Sequence, residues 1–191
     1  MSIPEVFRRI TTALDTAGIA YMLTGSFASA HYGLPRATQD IDIVIAANAA
    51  QLRNFIESLG HVEYYADLDA AIEARRRESL FNVIDLARGW KIDLIFRKSR
   101  PFSQEEFTRR RPVNLQGMEL FIASVEDVIL SKLEWAKLAK SRRQVEDVAA
   151  VLRLRGEALD RGYLDKWISE LGLAEQWAQA RLTAGLQESE G

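Results

Sequence analysis

Three aspartates stand where apolar strands would otherwise run unbroken. Asp40 and Asp42 flank Ile41 in Asp40-Ile-Asp-Ile-Val-Ile45, and Asp93 interrupts Trp90-Lys-Ile-Asp-Leu-Ile-Phe96. Residues two apart in an extended chain project to one face, so the carboxylates of Asp40 and Asp42 share a face while Ile41, Ile43 and Ile45 pack on the other. The same alternation turns Ile92, Leu94 and Phe96 to the core and Asp93 to the polar face. Like charges placed this close on an Ile-rich strand cost stability unless a cation lies between them. Three carboxylates on adjacent strands can bind a pair of magnesium ions, the arrangement that supports in-line displacement at phosphorus. Asp85 is a rival third acid, but it ends the preceding strand beside Arg88 and Gly89 and reads better as a turn acid.

The remaining inventory agrees with an oxygen-ligand site. The chain has 191 residues, 25 Lys plus Arg against 27 Asp plus Glu, two His (His31 and His61) and no Cys. That composition excludes thiolate zinc sites, disulfides, Cys nucleophiles and a three-His metal site. A metal must be held by oxygen, which points to hard cations such as magnesium. A net charge of −2 and a pI near 5.8 argue against coating nucleic acid by bulk charge. There is no long apolar run near the N-terminus, and no segment approaches the roughly 18 apolar residues of a membrane span. The expectation is a soluble cytoplasmic protein with no membrane partner.

A second motif precedes the acids. In Leu23-Thr-Gly-Ser-Phe27 a strand ends at Thr24, Gly25 permits a tight turn, and Ser26 is read as the cap of a helix that stops at Gly33, with Pro35 just beyond. Backbone amides at a helix start carry partial positive charge, so Gly25 and Ser26 could cradle a phosphate chain. Ser26 acting as a cap and nothing more is the competing reading.

The elements that must position these residues follow from periodicity. Strands are expected at 21–24, 41–45, 81–86 and 90–96, with helices at 4–17, 48–59 and 67–77. Ser103-Gln-Glu-Glu106 reads as a capping box opening a further short helix. From Ser124, which caps a helix running to about Lys140, only helices are expected: 142–155, then two shorter ones within 160–186. The fold class is therefore α+β, a mixed sheet with flanking helices over 1–120 followed by a helical subdomain over 121–191.

With these pieces in place, the chain resembles the nucleotidyltransferase superfamily that includes the polymerase-β-type enzymes. The resemblance rests on Gly25-Ser26, thirteen intervening residues, Asp40-Ile-Asp42 in an apolar strand and the lone strand acid Asp93. Arg36-Ala-Thr38-Gln-Asp40-Ile-Asp42 is similar to the bacterial branch of minimal, abortive-infection-toxin and antibiotic nucleotidyltransferases. The helical half, with Lys132-Leu-Glu-Trp135 and Arg142-Arg-Gln-Val-Glu-Asp147, is similar to the C-terminal helices of that branch, so the resemblance spans about residues 18–172. It implies that Gly25 and Ser26 hold a nucleoside triphosphate and that Asp40 and Asp42 bind two magnesium ions. It implies also that Asp93 completes the metal site and activates an acceptor hydroxyl.

Further residues carry weaker signals. Lys132 falls in the apolar stripe of Val125, Val128, Ile129, Leu133 and Ala136, where a lysine needs an anion. It is read as reaching the triphosphate, against the alternative of a stem along the core with its head in water. Arg36 and Thr38 are read as phosphate contacts or as braces of the loop before the acids. Arg143 and Asp147 form an i, i+4 pair that reads as a surface salt bridge. His31 reads as a packed or surface residue, the runs 75–77 and 109–111 as solvated arginine faces, and Trp90, Trp135, Trp167 and Trp177 as core or seam residues.

The expected activity is magnesium-dependent transfer of a nucleoside monophosphate from an NTP to a hydroxyl of an RNA such as a tRNA end, of a protein, or of a small molecule. A toxin–antitoxin setting with a cognate partner protein is part of this expectation. The alternative is a catalytically silent nucleotidyltransferase-like binding module that acts through a partner protein.

Overall fold

The alternation around the acids does produce strands. In the computed structural model, which describes residues 3–33, 40–60, 62–115 and 117–186, strand β2 (Asp40–Ala46) buries Ile41, Ile43 and Ile45 and turns the intervening residues outward. Strand β5 (Lys91–Phe96) does the same with Ile92, Leu94 and Phe96. With β1 (Ala20–Leu23), β3 (Tyr64–Ala66), β4 (Leu80–Asp85), β6 (Arg111–Leu115) and β7 (Met118–Ile122) they form one sheet in the order β3-β4-β5-β2-β1-β7-β6. The pairs β2–β5 and β1–β7 are parallel and the rest antiparallel, so the sheet is mixed and the fold is α+β.

Residues fall into two compact units, one containing positions up to 26 and the described positions between 40 and 123, the other 27–33 and 124–186. The first holds the whole sheet with helices α1 (Ile3–Thr16), α3 (Ala49–Ser58), α4 (Leu68–Arg76) and α5 (Pro101–Thr108). Helix α1 buries Val6, Phe7, Ile10 and Leu14, a stripe at helical spacing, and packs on β1 and β7. Helix α3 begins as the residue types dictate. The Asn48 side chain accepts from the Gln51 amide while Gln51 reaches back to the Asn48 amide, which satisfies two otherwise orphaned donors.

Three strands go beyond the sequence expectation, and the start of helix α5 differs from it. Strand β3 has only three residues before Asp67 caps α4, too few for a period to register. Strand β6 lies at the sheet edge and contains Pro112, which lacks the amide a central strand would need. Its antiparallel partner β7 buries Met118, Leu120 and Ile122. Helix α5 opens at Pro101, not at a Ser103 capping box. Proline's fixed φ suits the first helical position, and the Ser103 hydroxyl instead accepts from Arg100 Nε at 2.9 Å.

The second unit is helical: α6 (Val125–Ala139), α7 (Arg142–Arg155), α8 (Arg161–Glu170) and α9 (Ala174–Ala184), with most of α2 (Gly25–Tyr32). The Ser124 hydroxyl accepts from the Asp127 amide, as an N-cap should. Tyr163 from α8 donates its hydroxyl to Asp127 Oδ1 at 2.6 Å, and the Asp160 amide donates to Glu126 Oε1 at 3.2 Å, so two buried acids at the start of α6 tie α8 to it. Trp167 is buried here, whereas Trp135 is 57% exposed and does not belong to the core. Among the described residues no helix is long and apolar enough to cross a membrane.

Candidate active site

Strand register brings the three aspartates together. On the parallel pair β2–β5, Asp42 lies opposite Asp93 and Asp40 opposite Lys91, so four charged residues occupy one patch of the sheet's polar face. Antiparallel pairing of β4 with β5 adds Asn82 opposite Asp93. The Asp93 carboxylate is held on both oxygens. Asn82 donates its amide to Oδ1 at 2.5 Å, and the Lys91 ammonium lies 3.1 Å from Oδ2. Lys91 reaches Asp40 as well, at 3.6 Å from Oδ1. Its pKa is raised above the ordinary lysine value, chiefly by the hydrogen bond to Asp93, with the charges of Asp93 and Asp40 adding to it and partial burial opposing.

Gly25 meets this patch from β1. The chain leaves that strand through a hydrogen bond from the Thr24 amide to the Asp42 carbonyl at 2.9 Å, and α2 starts at Gly25 itself. Ser26 is thus a residue of the first helical turn and not its cap. Gly25 has φ +63°, and a Cβ built on it would overlap the Asp42 carboxylate, lying 2.6 Å from Cγ and 2.8 Å from Cβ. Both the left-handed backbone and the close approach require glycine.

Gly25→Ala is therefore expected to cost more than the conformational penalty alone. Gly89 has φ +71° and nothing within 4 Å of its virtual Cβ, which makes Gly89→Ala the control. Urea denaturation should show a loss of about 1 kcal/mol for Gly89→Ala and of about 2 kcal/mol or more for Gly25→Ala. Equal losses would mean that the Asp42 carboxylate moves aside without cost.

The residues suit a hard divalent cation in kind: all three candidate ligands are carboxylates on one face, and a cationic ammonium already lies between two of them. Among the described residues, however, no three acids or imidazoles converge into a ready-made cage. The three aspartates line the face with Lys91 among them. Asp85 is elsewhere. It is 1% exposed, and its Oδ1 accepts from the amides of Ala87 and Arg88, at 3.0 and 3.1 Å, which is the turn role expected of it.

Lys132, in the second unit, is 4% exposed. Its ammonium does not snorkel to water but donates to Asp147 Oδ2 at 2.7 Å and to Gln144 Oε1 at 3.0 Å, both from α7. The anion demanded by its apolar stripe is thus on the facing helix. Asp147, read from sequence as the partner of Arg143, is the acid that meets it. Arg36 and Thr38 lie outside the described residues. Sequence reasoning missed Asn82 and Lys91. Each sits on the outward phase of a strand, but only the pairing of β4, β5 and β2 shows that they meet Asp93.

No protein-family model matches the chain, and no curated protein does. Solved structures do. An antigenic nucleotidyltransferase-like protein from Paracoccidioides brasiliensis superposes with a TM-score of 0.52 at 16% identity, covering 96% of this chain and 94% of that one. ANT(2'')-Ia, in complex with adenylyl-2''-tobramycin, superposes with a TM-score of 0.50 at 12% identity, covering 95% of this chain and 96% of that one. The fold is therefore that of nucleotidyltransferase-like proteins.

Proposed function

We propose that this chain is a magnesium-dependent nucleotidyltransferase that moves a nucleoside monophosphate from an NTP to an acceptor hydroxyl and releases pyrophosphate. One observation carries the reading: Asp42 and Asp93 stand side by side on parallel strands, with Asp40 on the same face and Gly25 against the Asp42 carboxylate. Three carboxylates on one face outnumber the single ammonium among them, and a divalent cation would supply the charge still missing.

In this proposal Asp40, Asp42 and Asp93 hold two magnesium ions, which would offset the charge that develops on the transferring phosphoryl group. Asp93 takes the proton of the acceptor hydroxyl on its carboxylate as the hydroxyl oxygen bonds to the α-phosphorus. The bond from that phosphorus to the bridging oxygen breaks, and pyrophosphate leaves with the electron pair. Gly25 and Ser26 contribute backbone amides to the phosphates. Arg36 and Thr38 are proposed as further phosphate contacts; Lys132, read from the sequence as another, is engaged by Asp147 and Gln144 of the facing helix.

The proposed acceptor is a hydroxyl of an RNA, a protein or a small molecule, and the proposed setting is a toxin–antitoxin system with a cognate partner protein. Fold likeness to ANT(2'')-Ia, whose structure holds adenylyl-2''-tobramycin, adds weight to the small-molecule case. Incubation with each labelled NTP, magnesium and a cell extract should yield a labelled product and pyrophosphate, both lost on addition of EDTA. Mass spectrometry of the product then identifies the acceptor. Absence of product and pyrophosphate with every NTP would reject the reading.

A further inference from the structure

The cation already present in the acidic patch is the chain's own. Lys91 precedes Asp93 by two residues on β5, so both side chains leave the same face, and the parallel register sets Lys91 directly beside Asp40. Its ammonium bridges Asp93 Oδ2 at 3.1 Å and Asp40 Oδ1 at 3.6 Å. Asn82 engages the other oxygen of Asp93, so Oδ2 is the oxygen that Lys91 covers. We infer that Lys91 is a resident counter-cation: it offsets part of the charge of Asp40 and Asp93 in the metal-free protein, gives way when a divalent ion enters, and so sets the metal affinity below what the carboxylates alone would provide. The inference rests on the proposed metal role of the three aspartates.

The physical balance favours such an exchange. The Lys91 side chain is 44% exposed and Asp40 57%, so water screens the pair and holds it only weakly. A lysine stem is long and flexible, so its head can swing to solvent, and the Asp93 carboxylate it leaves, only 13% exposed, then needs the entering ion as its replacement. A divalent ion brings twice the charge to the same carboxylates and repels an ammonium at this range, so the two cannot share Asp93 Oδ2 and Asp40 Oδ1. Without either cation, Asp42 and Asp93 face each other in register with Asp40 next to them, and the like charges repel.

Lys91→Met keeps the stem and removes the charge, and Lys91→Arg keeps a charge. Binding of Mn²⁺, followed at constant ionic strength by the paramagnetic resonance of the free ion, reads the site without any assay of transfer. The expected result is that Lys91→Met binds Mn²⁺ about tenfold more tightly than wild type. It should also melt at a lower temperature than wild type in EDTA and gain more on adding Mn²⁺, while Lys91→Arg stays near wild type. Circular dichroism establishes that each variant is folded, and Lys91→Gln replaces Lys91→Met if the latter is not.

Wild-type binding that disappears in Asp42→Asn, together with unchanged or weaker binding by Lys91→Met, overturns the inference and leaves the metal site standing. Failure of both wild type and Lys91→Met to bind Mn²⁺ rejects the metal site and, with it, the exchange.

Discussion

Asp42→Ala is expected to leave a folded protein and to lower the proposed nucleotide transfer by about a thousandfold or more, the effect of removing a proposed metal ligand worth several kcal/mol of charge stabilisation at the transferring phosphorus. The reason for naming Asp42 is its position. It lies between its neighbour on β5, Asp93, and the turn at Gly25, so it is the acid common to the proposed metal and phosphate contacts. The fold does not depend on it in the same way. Asp42 stands on the outward phase of β2, and the residues that bury that strand are Ile41, Ile43 and Ile45. Replacement removes one of three like charges, so stability in EDTA should stay within about 1 kcal/mol of wild type or rise. Labelled-NTP turnover and urea denaturation on the same preparation check both halves. An active Asp42→Ala would reject the proposed chemistry, and an unfolded one would mean that the carboxylate is a structural element of the β1–β2 turn.

What was legible in the sequence is what is local to a single strand or turn. Period-two alternation is a local property of the strand, so the outward phase of Asp40, Asp42 and Asp93 and the inward phase of the Ile and Leu residues could be read without knowing any partner. Asp85 was legible for a similar reason, since its hydrogen bonds go to amides two and three residues ahead. Asn82 and Lys91 were not. A strand residue acquires its neighbours through register with chains distant in sequence, and here an asparagine eleven residues before Asp93 supplies the hydrogen bond. At Ser103 a local signal was present and lost to a stronger one, because Pro101 is better suited to open a helix than a serine two positions on. Strand β6 escaped for the converse reason. Pro112 reads as a strand breaker until the sheet order places it at an edge where its missing amide costs nothing.

The helical wheel marked Lys132 as misplaced in an apolar stripe, yet a wheel sees one helix only, and the acid that answers it comes from the next. In the ion pair of Lys132 with Asp147, at 2.7 Å, the side chains are 5% and 14% exposed, so neither charge can be stranded cheaply. Breaking such a pair from one side is expected to cost about 3–5 kcal/mol, whereas replacing both partners with apolar residues of similar size should recover most of that loss. Lys132→Met and Asp147→Leu should each lower stability strongly. Asp147→Leu should be the worse, because the ammonium it strands is the more buried group and, among the described residues, keeps Gln144 alone as a partner. The double variant should lie within about 1–2 kcal/mol of wild type, giving a large coupling energy in a double-mutant cycle of urea denaturation. Small, additive losses would show that the pair is solvated in solution. The double variant also separates the two meanings of Lys132. Loss of transfer in Lys132→Met alone reflects unfolding as readily as a missing phosphate contact, but a folded double variant that still transfers nucleotide assigns Lys132 to the helical core. A folded double variant that has lost transfer assigns the pair's charge to the triphosphate.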